Sequence, residues 1–375
     1  MHLYLHIPFC KKACHYCNFH FSTSLRLKDA MVDALSAELE MQRSYLSPGA
    51  LQTVYFGGGT PSHLPVSDLI RLFEQISRLY GIAEGAEITL EANPDDLGAD
   101  YLADLRRYTP VNRLSIGIQS FSDADLQWMN RAHSARHALD CLSAARTAGF
   151  DNLTIDLIYG APVTSEEQWA ENLRVVFDHA VPHLSCYCLT VEEGTALGHF
   201  VAKGKAPAVD EEKAARHFDF LLEQSRAAGY EHYETSNFAL PGFYSRHNSS
   251  YWLGESYLGI GPSAHSFDGA SRQWNIANNA LYIKSIEAGT VPFEREVLSA
   301  EQRYNELVMT GLRTIWGLDL ERLRLLGPGF APYFEKNARR FVEAGTLVRR
   351  GDVFTLSEAG KFLADGIAAA LFWEA

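Results

Sequence analysis

The chain has 375 residues, of which 47% are hydrophobic and 21% charged, and a formal net charge of −13, a composition ordinary for a globular protein with room for a large core and an accessory domain. The acidic balance argues against the broad basic face of a general nucleic-acid binder, and no run approaches the ~20 apolar residues of a membrane span, so at most peripheral membrane contact is expected. Six cysteines, three of them crowded together, do not form a secreted disulfide framework, and a chain that starts at Met1-His2-Leu3-Tyr4 leaves no room for a signal peptide, so a cytoplasmic location is expected.

The first predicted element is a strand over Leu3–Ile7, closed by Pro8 and followed by Cys10, Cys14 and Cys17 in the spacing C-x-x-x-C-x-x-C. A loop this short can fold three thiolates around one inorganic centre but offers no fourth. Soft thiolates select zinc, copper(I) or iron–sulfur clusters, and structural zinc and ferredoxin clusters each take four ligands. Three thiolates therefore point to a [4Fe–4S] cluster with one iron left open. A zinc site completed by His15 or His20, or three ordinary cysteines, is the alternative.

A helix follows over Leu27–Leu46, with Leu27, Met31, Leu35 and Leu39 on one stripe and Pro48-Gly49 ending it. Next come a strand at Thr53–Phe56 and a helix at about Ser67–Tyr80, with Ser67 as its cap. Further strands are predicted at Glu87–Glu91, Arg113–Ile118, Leu153–Ile158 and Leu184–Leu189, separated by helices at Ala99–Tyr108, Ala135–Ala148 and Glu166–His179. Six βα units imply an α/β fold with a parallel sheet and right-handed crossovers, which closes naturally as an open (β/α)6 partial barrel. Chemistry in such barrels sits at the carboxyl ends of the strands. A helix is expected at Asp210–Ala228, and Gly229–Tyr282 is weakly periodic. From Ser299 the pattern is helix, helix (Ala331–Ala344), hairpin (Leu347–Arg349 with Val353–Leu356) and helix (Ser357–Leu371), a small winged-helix-like α+β domain. The domain reading is a barrel over 1–240, a linking segment over 241–298, and the winged-helix-like domain over 299–375. That last domain is expected to act as a cap or docking surface rather than as a DNA binder.

Several residues fall at predicted strand ends. Gly57-Gly58-Gly59-Thr60-Pro61 follows the second strand, and glycines permit close backbone approach to a ligand. Glu91, in Leu90-Glu91-Ala92-Asn93-Pro94, puts a carboxylate at the rim of the third, where it can bond ribose hydroxyls or cap the next helix. Gln119 ends the fourth. Arg131 can fork onto a carboxylate, and Asp156, an acid in an apolar strand, needs a partner, for which Arg131 is a candidate. Cys141, Cys186 and Cys188 are expected to be core packing.

The cysteine spacing resembles the signature of the radical S-adenosylmethionine (SAM) superfamily, and the likeness extends over nearly the whole chain. It implies that Cys10, Cys14 and Cys17 hold a [4Fe–4S] cluster whose open iron chelates SAM, with reductive cleavage to a 5′-deoxyadenosyl radical as the superfamily's chemistry. By the same resemblance Tyr4, Tyr16, Gly58, Gly59, Thr60, Glu91, Gln119, Arg131, Asp156 and Thr190 line the SAM region. Within the superfamily two branches share this scaffold: oxygen-independent coproporphyrinogen III oxidases, and haem chaperones. The oxidase motif has a fourth cysteine where this chain has Phe19, and a long segment ahead of the cysteines where this chain has nine residues. Arg246-His247-Asn248-Ser249-Ser250-Tyr251-Trp252 and Tyr233-Glu234-Thr235-Ser236-Asn237-Phe238-Ala239 resemble hallmarks of the chaperone branch. That likeness implies haem as cargo, acceptor haemoproteins as partners, His247 as haem ligand, and His265 as a second candidate at the barrel mouth; a homodimer is a further candidate partner, with the cluster and SAM expected to gate haem transfer or dimerisation.

Overall fold

Six parallel strands form the spine of the protein in simple chain order. In the computed structural model, which describes residues 1–374, these are β1 (His2–Ile7), β2 (Leu51–Gly58), β3 (Ile82–Ala92), β4 (Arg113–Gln119), β5 (Asn152–Tyr159) and β6 (His183–Cys188). Each pairs in parallel with the next. Helices Lys28–Met41, Val66–Tyr80, Ala99–Tyr108, Ala135–Thr147 and Glu166–Asp178 make the crossovers. This is the expected α/β partial barrel, with strand and helix positions close to those read from periodicity.

Strand geometry sends alternate side chains to opposite faces. One set, including Leu3, Leu5, Ile7, Val54, Phe56, Ile88, Leu90, Leu114, Ile116, Leu153, Ile155 and Leu184, is buried in a single cluster with Met31, Leu35, Leu69, Leu72, Leu142 and Leu173 of the helices. The other set is polar: His2, Tyr4 and His6 from β1, Thr53 and Tyr55 from β2, Glu87 and Glu91 from β3, Arg113 and Ser115 from β4, Thr154 and Asp156 from β5. The hydrophobic effect thus glues sheet to helices and leaves the inner face free for polar groups.

Three local expectations change. Ser67 lies inside its helix, and Pro65 occupies the cap position with no side-chain bond. Residues 241–298, expected as a linking segment, are built into the sheet. After the helix Arg246–Trp252, strand β9 (Tyr257–Ile260) runs parallel to β1, and β10 (His265–Phe267), β11 (Ser271–Asn275) and β12 (Phe293–Val297) continue antiparallel. With β7 (Glu231–Glu234) and β8 (Asn237–Ala239) on the other side, the sheet order becomes β12-β11-β10-β9-β1-β2-β3-β4-β5-β6-β8-β7. These strands are three to five residues long and rich in polar and aromatic side chains, too short for a period of two to register. The predicted last helix is broken into Glu358–Lys361 and Ala364–Ala369; Gly360 packs so closely on the Thr346 carbonyl that an added Cβ would lie 2.2 Å from it.

The added strands are tied to the barrel by Glu38. Its fully buried carboxyl, on the first crossover helix, accepts hydrogen bonds from the Gly261 amide (2.8 Å), the Asn275 side chain (2.7 Å) and the Tyr282 hydroxyl. Residues from 300 onward form a second core around Tyr304, Val308, Leu312, Phe330, Phe334, Leu347 and Phe354. It contains the helices Ala300–Leu312 and Phe330–Glu343 and a three-stranded sheet. The Ile315 amide donates to the Tyr233 carbonyl (3.0 Å), and Arg226 pairs with Glu358, so this domain is stitched to the barrel. Among the described residues no helix is long and apolar enough to cross a membrane.

Candidate functional site

The cysteine loop leaves β1 and is pinned by its neighbours at several points. The Cys10 amide donates to the Ser22 carbonyl (3.0 Å) and the Ser22 amide to Pro8 (2.9 Å), closing the loop at its base. The His15 amide reaches the Met129 carbonyl (3.1 Å), and the Leu197 amide reaches back to His15 (2.7 Å). Asn130 Nδ2 donates to the Ala13 carbonyl at 2.7 Å. Lys11 forms an ion pair with Asp95 at 2.8 Å. Ordering of this kind lowers the entropic cost of gathering ligands around a centre.

Cys10, Cys14 and Cys17 are half-buried and free of disulfides. Burial pushes the Cys10 thiol up to about 11, opposed by a hydrogen bond from Thr60. Of the candidate fourth ligands for zinc, His15 has Nδ1 on the Trp128 carbonyl (2.8 Å) and His20 has Nε2 on Asn279 (2.7 Å), each with its other ring nitrogen left over. Among the described residues no three His, Cys, Asp or Glu side chains close on a single ion. The donor set, three soft thiols on a pinned loop, fits a cluster that accepts three protein sulfurs.

A hydrogen-bonded chain joins two of these cysteines through the strand ends. The Thr60 hydroxyl points at Cys10 Sγ (3.5 Å), Asn93 Nδ2 donates to Thr60 (2.9 Å), Arg131 Nη2 donates to Asn93 Oδ1 (2.5 Å), and Arg131 Nη1 lies 3.2 Å from Cys14 Sγ. Arg131 also donates to the Gly117 carbonyl (2.6 Å) and lies 3.5 Å from the Tyr16 hydroxyl. Its guanidinium remains charged and is the cation nearest the sulfurs, where it would offset the negative charge of thiolates. Asn93 was not singled out from the sequence, although it stands within the Glu91-Ala92-Asn93-Pro94 segment; nothing local distinguishes a strand-end asparagine that bridges two others.

Beside this chain Tyr4, Tyr55, Gly58 and Glu91 come together at the strand ends, with Tyr4 stacked on Tyr55. Glu91 accepts from the Tyr55 hydroxyl (2.7 Å) and the Gly58 amide (3.1 Å), and burial raises its carboxyl to about 7. The glycines are needed by the chain's own packing as well as by any ligand. Gly58 has φ +105, and a Cβ there would lie 2.5 Å from the His6 ring; at Gly59 it would lie 2.7 Å from the Phe9 carbonyl. Gln119 is buried with φ 69, a left-handed conformation uncommon for a side chain of its kind. Asp156 does not pair with Arg131: burial raises it to about 6, opposed by the Ser185 hydroxyl, with the charge of Arg131 a lesser influence. Thr190 lies exposed beyond the end of β6 and makes no side-chain bond to these residues. Cys141 and Cys186 are core residues, and Cys188 packs at the core margin.

His247 is placed away from any opening. It sits 1% exposed inside the barrel, with Nδ1 on the Thr53 hydroxyl (2.6 Å) and Nε2 on the Tyr251 hydroxyl (2.8 Å). Its ring stacks on Tyr55 at 4.9 Å, and the Glu87 carboxylate accepts from the amides of Arg246 (3.0 Å) and His247 (2.9 Å). Both ring nitrogens are occupied, so no lone pair is left for iron, and burial holds the imidazole neutral. In this conformation the histidine motif plugs the inner face of the barrel instead of presenting a haem ligand. His247→Ala is expected to destabilise the chain by about 2–4 kcal/mol through the cavity and two orphaned hydroxyls. Urea denaturation measures this, and a loss within about 0.5 kcal/mol would remove the plug role. His265, by contrast, is exposed on β10 and stacks on Trp274, with ring centroids 6.0 Å apart.

Comparison with known proteins bears on the same elements. The Radical SAM superfamily model matches residues 4–176, and the HemN C-terminal domain model matches residues 298–363. The chain is 35% identical to a protein of Mycobacterium tuberculosis named "Heme chaperone HemW", over 98% of this chain and 94% of that protein. It is 31% identical to the Bacillus subtilis protein of the same name, over 99% of each. Among solved structures, coproporphyrinogen III oxidase (HemN) of Escherichia coli superposes with a TM-score of 0.85 at 23% identity, covering 99% of this chain and 89% of that one; that likeness concerns the fold.

Proposed function

Because the chain belongs to the radical SAM superfamily and, within it, to the HemW haem chaperone family, we propose that it binds haem and delivers it to acceptor haemoproteins, with a [4Fe–4S] cluster and SAM as its resident groups. The observation that carries this reading is the similarity, at 35% and 31% identity over nearly the full length, to two proteins named as haem chaperones, joined to Phe19. That residue stands where the resembling oxidase motif has its fourth cysteine, and its side chain is 68% exposed.

Cys10, Cys14 and Cys17 would hold the cluster and leave one iron for SAM, whose reductive cleavage to a carbon radical is the chemistry these groups supply. The chain's own residues have separable tasks. Arg131 and Thr60 place hydrogen-bond donors at two of the sulfurs. Glu91, held between Tyr55 and the Gly58 amide, offers carboxylate oxygens to ribose hydroxyls at the strand rim. With a pKa of about 7 it is partly protonated near neutrality and can then also donate. Gly58 and Gly59 leave backbone exposed for close approach.

Two measurements on anaerobically reconstituted protein test the reading. Haem should bind and pass to an apo-haemoprotein acceptor, and coproporphyrinogen III with SAM and reductant should not be decarboxylated. Sustained decarboxylation would replace the chaperone reading with that of an oxidase.

A further inference from the structure

Between the barrel mouth and the C-terminal domain lies a cavity of about 910 Å³, at the upper end of the range of small-molecule sites. Tyr257 and Phe267 line it from the sheet, Phe19 from the cysteine loop, and Leu307 and Leu325 from the C-terminal helices. Phe19 and Leu325 are 68% and 80% exposed, so large apolar groups stand uncovered around one opening. Solvated apolar surface concentrated at a cleft marks a site for an apolar partner.

The same cavity carries cations. Arg272, Arg303, Arg313 and Arg322 all line it. Two are compensated: Arg272 by Glu306 at 2.9 Å and Arg313 by Asp365 at 2.6 Å. Among the described residues Arg303 and Arg322 make no ion pair. Arg322 is half-buried, its only hydrogen bond among the described residues runs to the Leu253 carbonyl (3.0 Å), and desolvation lowers its pKa, only partly opposed by the charge of Asp319, which does not reach it as an ion pair. A half-buried guanidinium that forms no ion pair is suited to a carboxylate brought by a ligand.

One imidazole is available as well. His265 lines this cavity, and among the described residues its ring makes no hydrogen bond. Its neighbours are committed: His6 uses both ring nitrogens, on the Tyr4 hydroxyl and the His20 carbonyl, and His20 uses one on Asn279. A flat apolar ligand with two carboxylates and a metal that takes imidazole matches aromatic walls, two free guanidinium groups and one free histidine.

We propose that this cavity is the haem cradle, with His265 on the iron and Arg303 and Arg322 on the two propionates. The proposal rests on the haem-carrier reading above and adds the place and the residues. Haem is thereby held by both the barrel and the C-terminal domain, and β10 and the helices Ala300–Leu312 and Leu320–Arg324 share the work.

The test is spectrophotometric titration of the full-length protein with haemin and, separately, with its dimethyl ester, which lacks both carboxylates. Arg303→Gln and Arg322→Gln should each weaken haemin binding about tenfold and leave binding of the ester unchanged. His265→Ala should lose the spectrum of a nitrogen-ligated haem, and added imidazole should restore it. Both arginines and His265 line an open cleft, so unchanged thermal unfolding of the variants is expected and serves as the folding control. Wild-type haemin affinity and spectrum in all three variants would overturn this site while leaving the carrier reading intact. A wild-type protein that binds no haemin would overturn both.

Discussion

Cys14→Ala is expected to abolish incorporation of the iron–sulfur cluster. Each of the three cysteines supplies one thiolate, and the loop carries no fourth cysteine to replace a lost one. Wild-type protein reconstituted without oxygen should carry about four irons and as many sulfides per chain, with the variant near zero by chemical analysis and visible absorption. The fold should survive, because the loop is held at Ser22, Met129, Asn130 and Leu197 by bonds that do not involve the sulfurs. Cys186→Ala, a change in the core, should keep its iron. A fully loaded Cys14→Ala protein, or tightly held zinc in the wild type, would end the cluster assignment.

The largest expected loss of stability follows from Glu38. Glu38→Leu leaves the Gly261 amide, the Asn275 side chain and the Tyr282 hydroxyl without their acceptor in the interior, at about 1–3 kcal/mol for each donor left dry. Relaxation recovers part of that, and a net loss of about 3–5 kcal/mol is expected in denaturant titration. This anchor joins the first crossover helix to the strands beyond β9, so loosening should be greatest there. Hydrogen exchange would show it, and an equally stable Glu38→Leu protein would refute the anchoring role.

The pH dependence of that anchor has a definite sign. Burial pushes Glu38 up to about 7 from 4.5, against the pull of its three donors. Folding therefore binds a proton that the unfolded chain has released between those values. This carboxyl's contribution to stability is greatest near pH 4.5, falls as pH rises towards 7 and stays low above. At about 1.4 kcal/mol per pH unit of displacement, the stability difference between wild type and Glu38→Gln should shrink by roughly 3 kcal/mol across that window. His6, His133 and His232, which burial lowers to about 4, act in the opposite direction between about pH 4 and their ordinary 6.5. The comparison with the glutamine variant isolates Glu38 from them, and a difference independent of pH would remove the assignment.

Much of this protein is local in origin, and that part was legible from its sequence. Cys10, Cys14 and Cys17 lie within eight residues, so loop length alone limits what they can hold. The strands β1 to β6 and their helices follow from periods of two and 3.6, because each buries one face against the other. Tertiary structure decided what depends on partners distant in the chain. The burial of His247 comes from Thr53, Tyr55 and Glu87; the bridge from Cys10 to Cys14 runs through residues 60, 93 and 131; and the free guanidinium groups face a histidine on β10 only because the C-terminal domain docks across the barrel mouth. A residue's type states which bonds it is able to make. Which of those bonds are already satisfied, and hence which side chains remain available to a ligand, is determined by the elements that pack around it.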